Sequence, residues 1–191
     1  MKHPRTSIAA LSLSASALVS LFVAEGWFET AAIPVKGDVP TVGPGLTKRP
    51  DGSSVQMGDT IKPVEGVQRS YAHVAKDETK LKQCVTAPLA QVEYDTLALH
   101  AYQYGSAVTC ASQVVKLTNQ GRYAEACQAY LNFRYITDDR SHAGWEPYKF
   151  GTTGQPIRWR YDCTTPGNKV CAGVGKRSLE RRDRCLAAGD E

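Results

Sequence analysis

The sequence predicts a mostly helical α+β protein, with one small β-hairpin near its start followed by a helical lobe. Two observations support this prediction. Between residues 60 and 133, apolar side chains recur mainly at three- and four-residue steps, a pattern typical of amphipathic helices. Residues 30–47 (TAAIPVKGDVPTVGPGLT) instead place Pro and Gly between short β-prone runs, which indicates an irregular hairpin. A chain of 191 residues is long enough to bury one full core, so we expect one main domain.

Each helix is bounded by recognisable start and stop signals. Thr60 is a plausible N-cap, with Pro63 in the first turn of a helix that should reach about Lys82. Residues 134–171 lose the helical periodicity and gather Gly, Pro and aromatic residues, so we expect a long loop insertion or a small subdomain there. The other predicted helices run from Pro88 to Gly105, from about Ser106 to Asn119, from Tyr123 to Phe133, and from Val174 to Leu186.

The first 24 residues have the layout of an export segment. Lys2 and Arg5 precede an uncharged stretch, residues 6–24, that is rich in Ala and Ser. The stretch could be held in a membrane and later released, because its weak hydropathy makes it a poor span. Alternatively, Ala15-Ser16-Ala17 could be a leader-peptidase site, or the stretch could be the first buried helix of a cytosolic domain.

Charge and cysteine content narrow the class of protein. Lys and Arg outnumber Asp and Glu by 23 to 19, which favours anionic partners without choosing among them. The basic residues near the C-terminus are also explained as the solvated face of a helix. The six cysteines contain no Cys-x-x-Cys pair and the four histidines show no ligand spacing, so we expect neither a metal nor another cofactor. Dispersed cysteines indicate disulfides in an oxidising compartment, although buried thiols in a cytosolic protein are the alternative.

Glu25, Asp38 and Thr41 are the residues whose positions suggest chemistry. Glycoside hydrolysis needs a protonated carboxylic acid and a second carboxylate that activates water. Glu25 follows the apolar stretch directly, where low dielectric and the helix C-terminus should raise the pKa of its carboxyl group. Asp38 lies in a Gly-flanked turn where a carboxylate stays hydrated, and the Thr41 hydroxyl can hold a water. Taken alone, a Glu after an apolar helix is more often an exposed helix end, and an Asp after Gly is more often a turn residue.

A resemblance adds weight to the catalytic interpretation. The run ALSLSASALVSLFVAEGWFETAAIPVKGDVPTVGPGLT, from Ala10 to Thr47, resembles the N-terminus of the T4-lysozyme-like glycoside hydrolase family of phage endolysins, in particular its lambdoid signal-anchor-release branch. Residues 82–130 resemble the core helices of that family, and GVGKRSLERRDRC, residues 173–185, resembles its closing helix.

The resemblance implies a lysozyme-like fold and a muramidase that cuts the β-1,4 bond between N-acetylmuramic acid and N-acetylglucosamine, causing host cell lysis. By motif, Glu25 would be the general acid, and Asp38 and Thr41 would place the hydrolytic water. Residues 1–24 would be a signal-anchor that doubles as the first helix, and residues 25–191 the catalytic domain. The implied partners are bacterial peptidoglycan and the inner membrane, and the protein would be a monomer that binds no nucleic acid. It would reside first at the host inner membrane and then in the periplasm.

The resemblance also implies a disulfide between Cys127 and Cys185, which both recur in the resembling helices. Given that pair, we assign the remaining cysteines as Cys84 with Cys110 and Cys163 with Cys171, although the sequence alone leaves the connectivity open.

The sequence departs from the family pattern at Gln103, Pro44 and Ala32, where Asn, an aromatic residue and Tyr are usual. These departures bear on turnover more than on the fold. The sequence also leaves two other functions open. A lytic transglycosylase of related fold would form an anhydro product, and a non-catalytic wall-binding protein would cut nothing.

Overall fold

The structure is a computed structural model that describes residues 3–34 and 37–189, apart from the side chain of Glu25. The contacts within the described chain form two compact units. The N-terminal unit spans Pro4–Ala111, and the C-terminal unit comprises the described residues from Ser112 onward together with His3.

The first helix is shorter than the uncharged stretch of residues 6–24 and ends one residue beyond it. Residues Ile8–Ala10 form one 3₁₀ turn, and helix α1 spans only Ala15–Glu25. The helix begins there because the Ser14 hydroxyl oxygen accepts from the Ala17 N–H, an N-cap that replaces one missing intrahelical bond. Of the helices in the described part of the chain, none combines the length and the apolar character needed to cross a bilayer.

Residues 5–14 are held on the N-terminal unit by buried acidic side chains, an arrangement we call the N-terminal dock. Glu93 receives three hydrogen bonds from the Arg5 guanidinium, at 2.7, 3.0 and 3.2 Å, and both side chains are only 4% exposed. Glu78 accepts from the backbone N–H of Leu13 at 2.7 Å and from the Tyr94 hydroxyl at 2.6 Å. Burial of Tyr94, with Glu78 beside it, raises the pKa of its hydroxyl.

Asp95 completes the N-terminal dock. Its two carboxylate oxygens accept from the Ser14 N–H at 2.9 Å and from the Ser14 hydroxyl at 2.6 Å. The dock therefore fixes the residue that caps α1, so the position of α1 depends on bonds to helices far along the chain.

The predicted hairpin is present. Strand β1 (Phe28–Ala32) pairs antiparallel with β2 (Thr41–Gly43), with Phe28 opposite Gly43 and Ala32 opposite Thr41. The chain after the hairpin returns to the other side of β1, where Thr30 and Thr60 form a β-bridge. A small apolar core stabilises this arrangement, formed by Ala31, Val42, Val55 and Ile61.

Three further helices complete the N-terminal unit. They are α2 (Pro63–Cys84), α3 (Gln91–Tyr104) and α4 (Ser106–Ala111). The prediction of Thr60 as the N-cap of α2 is wrong, because Lys62 occupies that position and Thr60 is engaged in the bridge. A disulfide joins Cys84 at the end of α2 to Cys110 in α4, as assigned from the sequence.

The C-terminal unit contains α5 (Gln113–Asn119), α6 (Tyr123–Gln128), a 3₁₀ turn (Ala129–Phe133) and α7 (Ala172–Leu186). The single helix predicted over residues 106–119 is therefore two helices, since Ser112 interrupts it and caps α5 with its side chain. The Cys127–Cys185 disulfide implied by the resemblance joins α6 to α7.

The segment at residues 134–171, predicted as a long loop insertion or a small subdomain, contains an antiparallel three-stranded sheet. Its strands are β3 (Tyr135–Asp138), β4 (Glu146–Phe150) and β5 (Pro156–Asp162), in the order β3-β5-β4. All five residues of β4 are exposed. The Arg160 guanidinium lies 4.4 Å from the ring centre of Tyr135 and 5.9 Å from that of Tyr148, which links the three strands on one face. The assigned Cys163–Cys171 disulfide follows the sheet.

Candidate active site

The chain turns directly from α1 into the hairpin at Glu25. Gly26 caps the helix with φ near +74°, and its N–H donates to the Phe22 carbonyl at 3.1 Å. A positive φ suits glycine, because a Cβ at that position would be strained. The backbone of Glu25 thus lies where the sequence predicts, at the C-terminal end of an apolar helix. Its side chain lies outside the described part of the structure, so the role of general acid stays a prediction.

Thr41 is the first residue of β2 and is buried, with 5% of its surface exposed. Its hydroxyl donates to the Val39 carbonyl at 3.1 Å. A hydroxyl has one donor and two acceptor lone pairs, so this bond leaves the oxygen able to accept from a water. Thr41 therefore has the geometry of a fixed acceptor rather than that of a freely rotating hydroxyl.

Asp38 lies three residues earlier and is exposed, as its place in a turn predicts. One of its carboxylate oxygens accepts from the Val39 N–H at 2.8 Å. Asp38 and Thr41 are thus tied to the N–H and the carbonyl of the same residue, Val39. This turn holds both groups locally, whatever the conformation of residues 35–36, which lie outside the described ranges.

Trp27 is a residue that sequence reasoning missed. A Cβ built on Gly66 in α2 would lie 2.6 and 2.7 Å from two ring carbons of Trp27, which shows that the indole lies directly on the helix backbone. The same indole approaches Gly43 at the end of β2. Trp27 therefore seats the start of the hairpin against α2. An isolated glycine inside an amphipathic helix pattern was the available signal.

The chain that follows β2 forms one wall of an open groove of about 450 Å³ in the N-terminal unit. Residues 45–50 line this wall, α2 lines the opposite side, and Tyr102 of α3 contributes a ring. The Tyr102 hydroxyl donates to the carbonyl of Pro44 at 3.2 Å, so the departure from the family pattern at Pro44 is accommodated within the packing. Gln103, which follows Tyr102 in α3 and also departs from the family pattern, is exposed.

Arg49 and Asp59 stabilise that wall. The guanidinium donates to both carboxylate oxygens of Asp59, at 2.7 and 2.8 Å. These bonds, with a further bond from the Gln56 N–H, lower the pKa of Asp59 to about 2. The loop after β2 is therefore held in place by an ionised carboxylate.

His100 is packed rather than placed for chemistry. It is fully buried in α3, and its Nδ1 lies 2.9 Å from the Thr109 hydroxyl oxygen.

Comparison with known proteins places this geometry in a family. Residues 23–145 match the phage lysozyme family. An endolysin of Salmonella phage P22 is 29% identical over 101 residues, which are 53% of this chain and 69% of that protein.

Solved structures agree with the fold. An endolysin from Escherichia coli O157:H7 phage FAHEc1 has a TM-score of 0.70 at 22% identity, covering 95% of this chain and 98% of that one. The muramidase domain of SpmX from Asticaccaulis excentricus has a TM-score of 0.65 at 18% identity, covering 92% and 98%. At these identities the likeness concerns the fold alone. The family match spans well over half of the chain and includes Glu25, Asp38 and Thr41, and the chain therefore belongs to the phage lysozyme family.

Proposed function

We propose that the protein is a muramidase that hydrolyses peptidoglycan with Glu25 as general acid and with Asp38 and Thr41 placing the attacking water. Membership of the phage lysozyme family makes the chain a glycoside hydrolase of the lysozyme type. The observation that supports the assignment of the residues is the turn at Val39, which ties Asp38 and Thr41 to the N–H and the carbonyl of one residue. Val39 lies two residues before β2, the strand that pairs with β1, and β1 follows Glu25 closely.

In this mechanism Glu25 protonates the glycosidic oxygen as the bond to the anomeric carbon breaks. A water held by the Thr41 hydroxyl attacks that carbon from the opposite face and loses its proton to Asp38. This is the arrangement of an inverting glycosidase, in which the two carboxyl groups are roughly 6.5 to 9.5 Å apart so that a water fits between them. The first product would be the α-anomer.

Glu25→Gln tests the general acid against a matched control, Glu29→Gln, which removes an exposed carboxylate four residues away. We expect Glu25→Gln to lower the rate of reducing-end release from purified peptidoglycan by about 10²–10⁴-fold with little change in thermal stability, since general acid catalysis contributes about that much. The control should keep the wild-type rate. Equal activity of both variants would contradict the assignment.

The anomeric form of the first product distinguishes the mechanisms. NMR of the fresh digest should show the α-anomer before mutarotation. A β-anomer seen first would indicate a covalent intermediate, and an anhydro sugar would indicate a lytic transglycosylase. A digest without cleavage but with wall binding would indicate a non-catalytic protein.

We further propose that residues 6–24 first reside in the inner membrane, and that their release into the periplasm allows the N-terminal dock to form. Two facts support this. The stretch has no charged residue, and Val19 and Val23 of α1 remain 60% and 79% exposed after folding, as expected of side chains that also face lipid. While the stretch is in lipid, Ser14 cannot reach Asp95, so α1 and Glu25 would lie apart from the hairpin.

Ser12→Leu with Ser16→Leu tests this order of events. Both serines are exposed, so leucine there raises the hydropathy of the stretch without entering the core, and Ser12→Ala with Ser16→Ala is the matched control. Membrane fractionation should show the leucine variant retained in the inner membrane and lysis delayed. A soluble periplasmic product that begins at Leu18 would instead show a cleaved leader.

A further inference from the structure

The hairpin formed by β4 and β5 ends in an uncharged tip. Residues 150–157 (FGTTGQPI) contain no charged side chain. Two backbone bonds close the turn, from the Gly151 N–H to the Gln155 carbonyl at 2.9 Å and from the Gly154 N–H to the Gly151 carbonyl at 3.0 Å. The tip lies beyond residues 23–145, which match the phage lysozyme family, so membership of the family does not explain it.

Two large apolar side chains of this tip are exposed to solvent. Phe150 is 55% exposed and Ile157 is 45% exposed. They lie at the same end of the hairpin, because a Cβ built on Gly151 would come within 3.2 Å of the Ile157 Cγ2. Tyr148, two residues before Phe150, is also exposed. The tip therefore leaves in water apolar surface that the packing of the C-terminal unit does not use.

Two cations flank the tip, directly opposite each other. Lys149 of β4 is the register partner of Arg158 of β5, and both side chains are exposed. Like charges that lie directly opposite in a sheet are destabilising. The pair therefore lowers the stability of the hairpin instead of supporting it.

The other cations of the sheet segment each have a carboxylate partner. Those ion pairs, at 2.8, 2.7 and 3.5 Å, are Arg134–Asp162, Arg160–Glu146 and Arg140–Asp138. Neither Lys149 nor Arg158 forms an ion pair with a residue that the structure describes, and the Arg158 guanidinium donates to the Thr137 hydroxyl at 3.3 Å. The positive charge that the sheet leaves unpaired is therefore concentrated beside the tip.

An apolar tip next to two cations is complementary to the surface of an anionic bilayer. At such a surface, apolar side chains enter the boundary between headgroups and acyl chains, and cations beside them are attracted to the lipid phosphates. A soluble anion would leave Phe150 and Ile157 in water, and a neutral glycan would leave Lys149 and Arg158 without a counter-charge.

We propose that the β4–β5 hairpin is a membrane-contact site for anionic phospholipid. Residues 150–157 enter the interface of the bilayer, and Lys149 and Arg158 bind its phosphates. This site is separate from residues 6–24, which belong to the other compact unit, and it does not depend on the proposed catalytic mechanism.

The charge requirement is tested with Lys149→Gln plus Arg158→Gln in the full-length chain. The matched control, Lys116→Gln plus Lys169→Gln, removes two exposed cations elsewhere in the same unit. Binding is measured by cosedimentation with vesicles of equal parts phosphatidylglycerol and phosphatidylethanolamine. Since residues 6–24 are the same in every variant, differences in affinity report on the hairpin.

We expect the hairpin variant to bind these vesicles about ten- to thirtyfold more weakly at low salt, since each cation at an anionic surface contributes about fivefold. The control should keep the wild-type affinity, and high salt should remove the difference between the hairpin variant and the wild type. The Tm of the hairpin variant should be equal or higher, because its like-charge pair is gone. A lower Tm would show that the pair supports the fold and would overturn the proposal.

The apolar requirement is tested with Phe150→Gln plus Ile157→Gln. The control, Met57→Gln plus Val170→Gln, replaces two other exposed apolar residues, which are 62% and 65% exposed. We expect the tip variant to bind about tenfold more weakly, because the exposed parts of its two side chains no longer leave water. The control should bind as the wild type does.

Phe150→Trp reports directly on insertion of the tip. Its fluorescence should shift to shorter wavelength on binding, and lipids brominated along their acyl chains should quench it beyond the wild-type level. Val170→Trp is the control and should show no added quenching.

Four results would overturn the proposal. They are an equal loss in a hairpin variant and its control, an unchanged affinity, equal binding of the wild type to neutral phosphatidylcholine vesicles, and no added quenching in Phe150→Trp. A loss confined to binding of isolated peptidoglycan strands would also overturn it, because that result would assign the hairpin to the cell wall.

Discussion

The buried ion pair between Arg5 and Glu93 offers a quantitative test of the N-terminal dock. Replacement of Arg5 by Met keeps an unbranched, flexible stem but removes the guanidinium that donates at 2.7 and 3.0 Å to the Glu93 carboxylate. With both side chains only 4% exposed, the charge of Glu93 would stay buried beside the Ala90 N–H. Breaking one partner of a buried pair costs about 3–5 kcal/mol. For a chain of this size, that corresponds to a fall in Tm of about 6–20 °C.

Urea unfolding followed by circular dichroism at pH 7 measures this loss. Because Glu93→Gln still offers an oxygen to Ala90, the double variant Arg5→Met with Glu93→Gln should be more stable than the sum of the two single losses predicts, by at least about 1 kcal/mol. Arg122→Met is the matched control, since it breaks an ion pair that is more than half exposed and should change stability little. A loss below about 1 kcal/mol for Arg5→Met, or strict additivity of the single losses, would refute the view that the dock stabilises the fold.

Three other changes have defined outcomes. Gly66→Ala improves helix propensity but brings a methyl group to 2.6 Å from the Trp27 ring. We therefore expect the free energy of unfolding to fall by about 1–3 kcal/mol and the tryptophan fluorescence to shift, and unchanged fluorescence would contradict the packing. Arg49 lowers the pKa of Asp59 to about 2, so the ionised carboxylate contributes stability above about pH 4 that is lost as the pH falls toward 2. Asp59→Asn should therefore flatten the acid limb of a Tm-versus-pH curve, and an unchanged limb would contradict this role. Replacing the Cys127–Cys185 disulfide by two serines should lower the free energy of unfolding by about 4 kcal/mol, more than replacing the Cys163–Cys171 disulfide, which closes a shorter loop. The reverse order, measured by denaturant unfolding, would exclude an origin in chain entropy.

The hairpin and most helices could be predicted because their signals are local. Gly and Pro spacing indicates the hairpin, and periodic apolar residues indicate α2 and α3. The start of α1 could not be predicted, because the side chain that fixes Ser14 comes from Asp95, 81 residues away in sequence. Uncharged composition alone cannot show where such a stretch breaks.

The sheet at residues 135–162 escaped prediction for a different reason. Strand β4 is exposed along its whole length, so its sequence lacks the alternation between apolar and polar residues that marks a half-buried strand. The sheet depends instead on contacts between strands, such as Arg160 over the Tyr135 and Tyr148 rings. The candidate catalytic residues were easier to find, since Glu25, Asp38 and Thr41 occupy one short motif, whereas the open groove beside β2 is lined by residues from separate elements.

The order β3-β5-β4 makes β4 an outer strand, which has a consequence for how the protein behaves at high concentration. An outer strand normally exposes a row of unpaired amide groups to which a strand of another molecule can add, and this is a route to aggregation. In β4, Pro147 has no N–H to offer and Lys149 carries a charge that an added strand would have to cover. The strand is thereby guarded against self-association, and Pro147→Val with Lys149→Val would turn this outer edge into a surface prone to form intermolecular sheets.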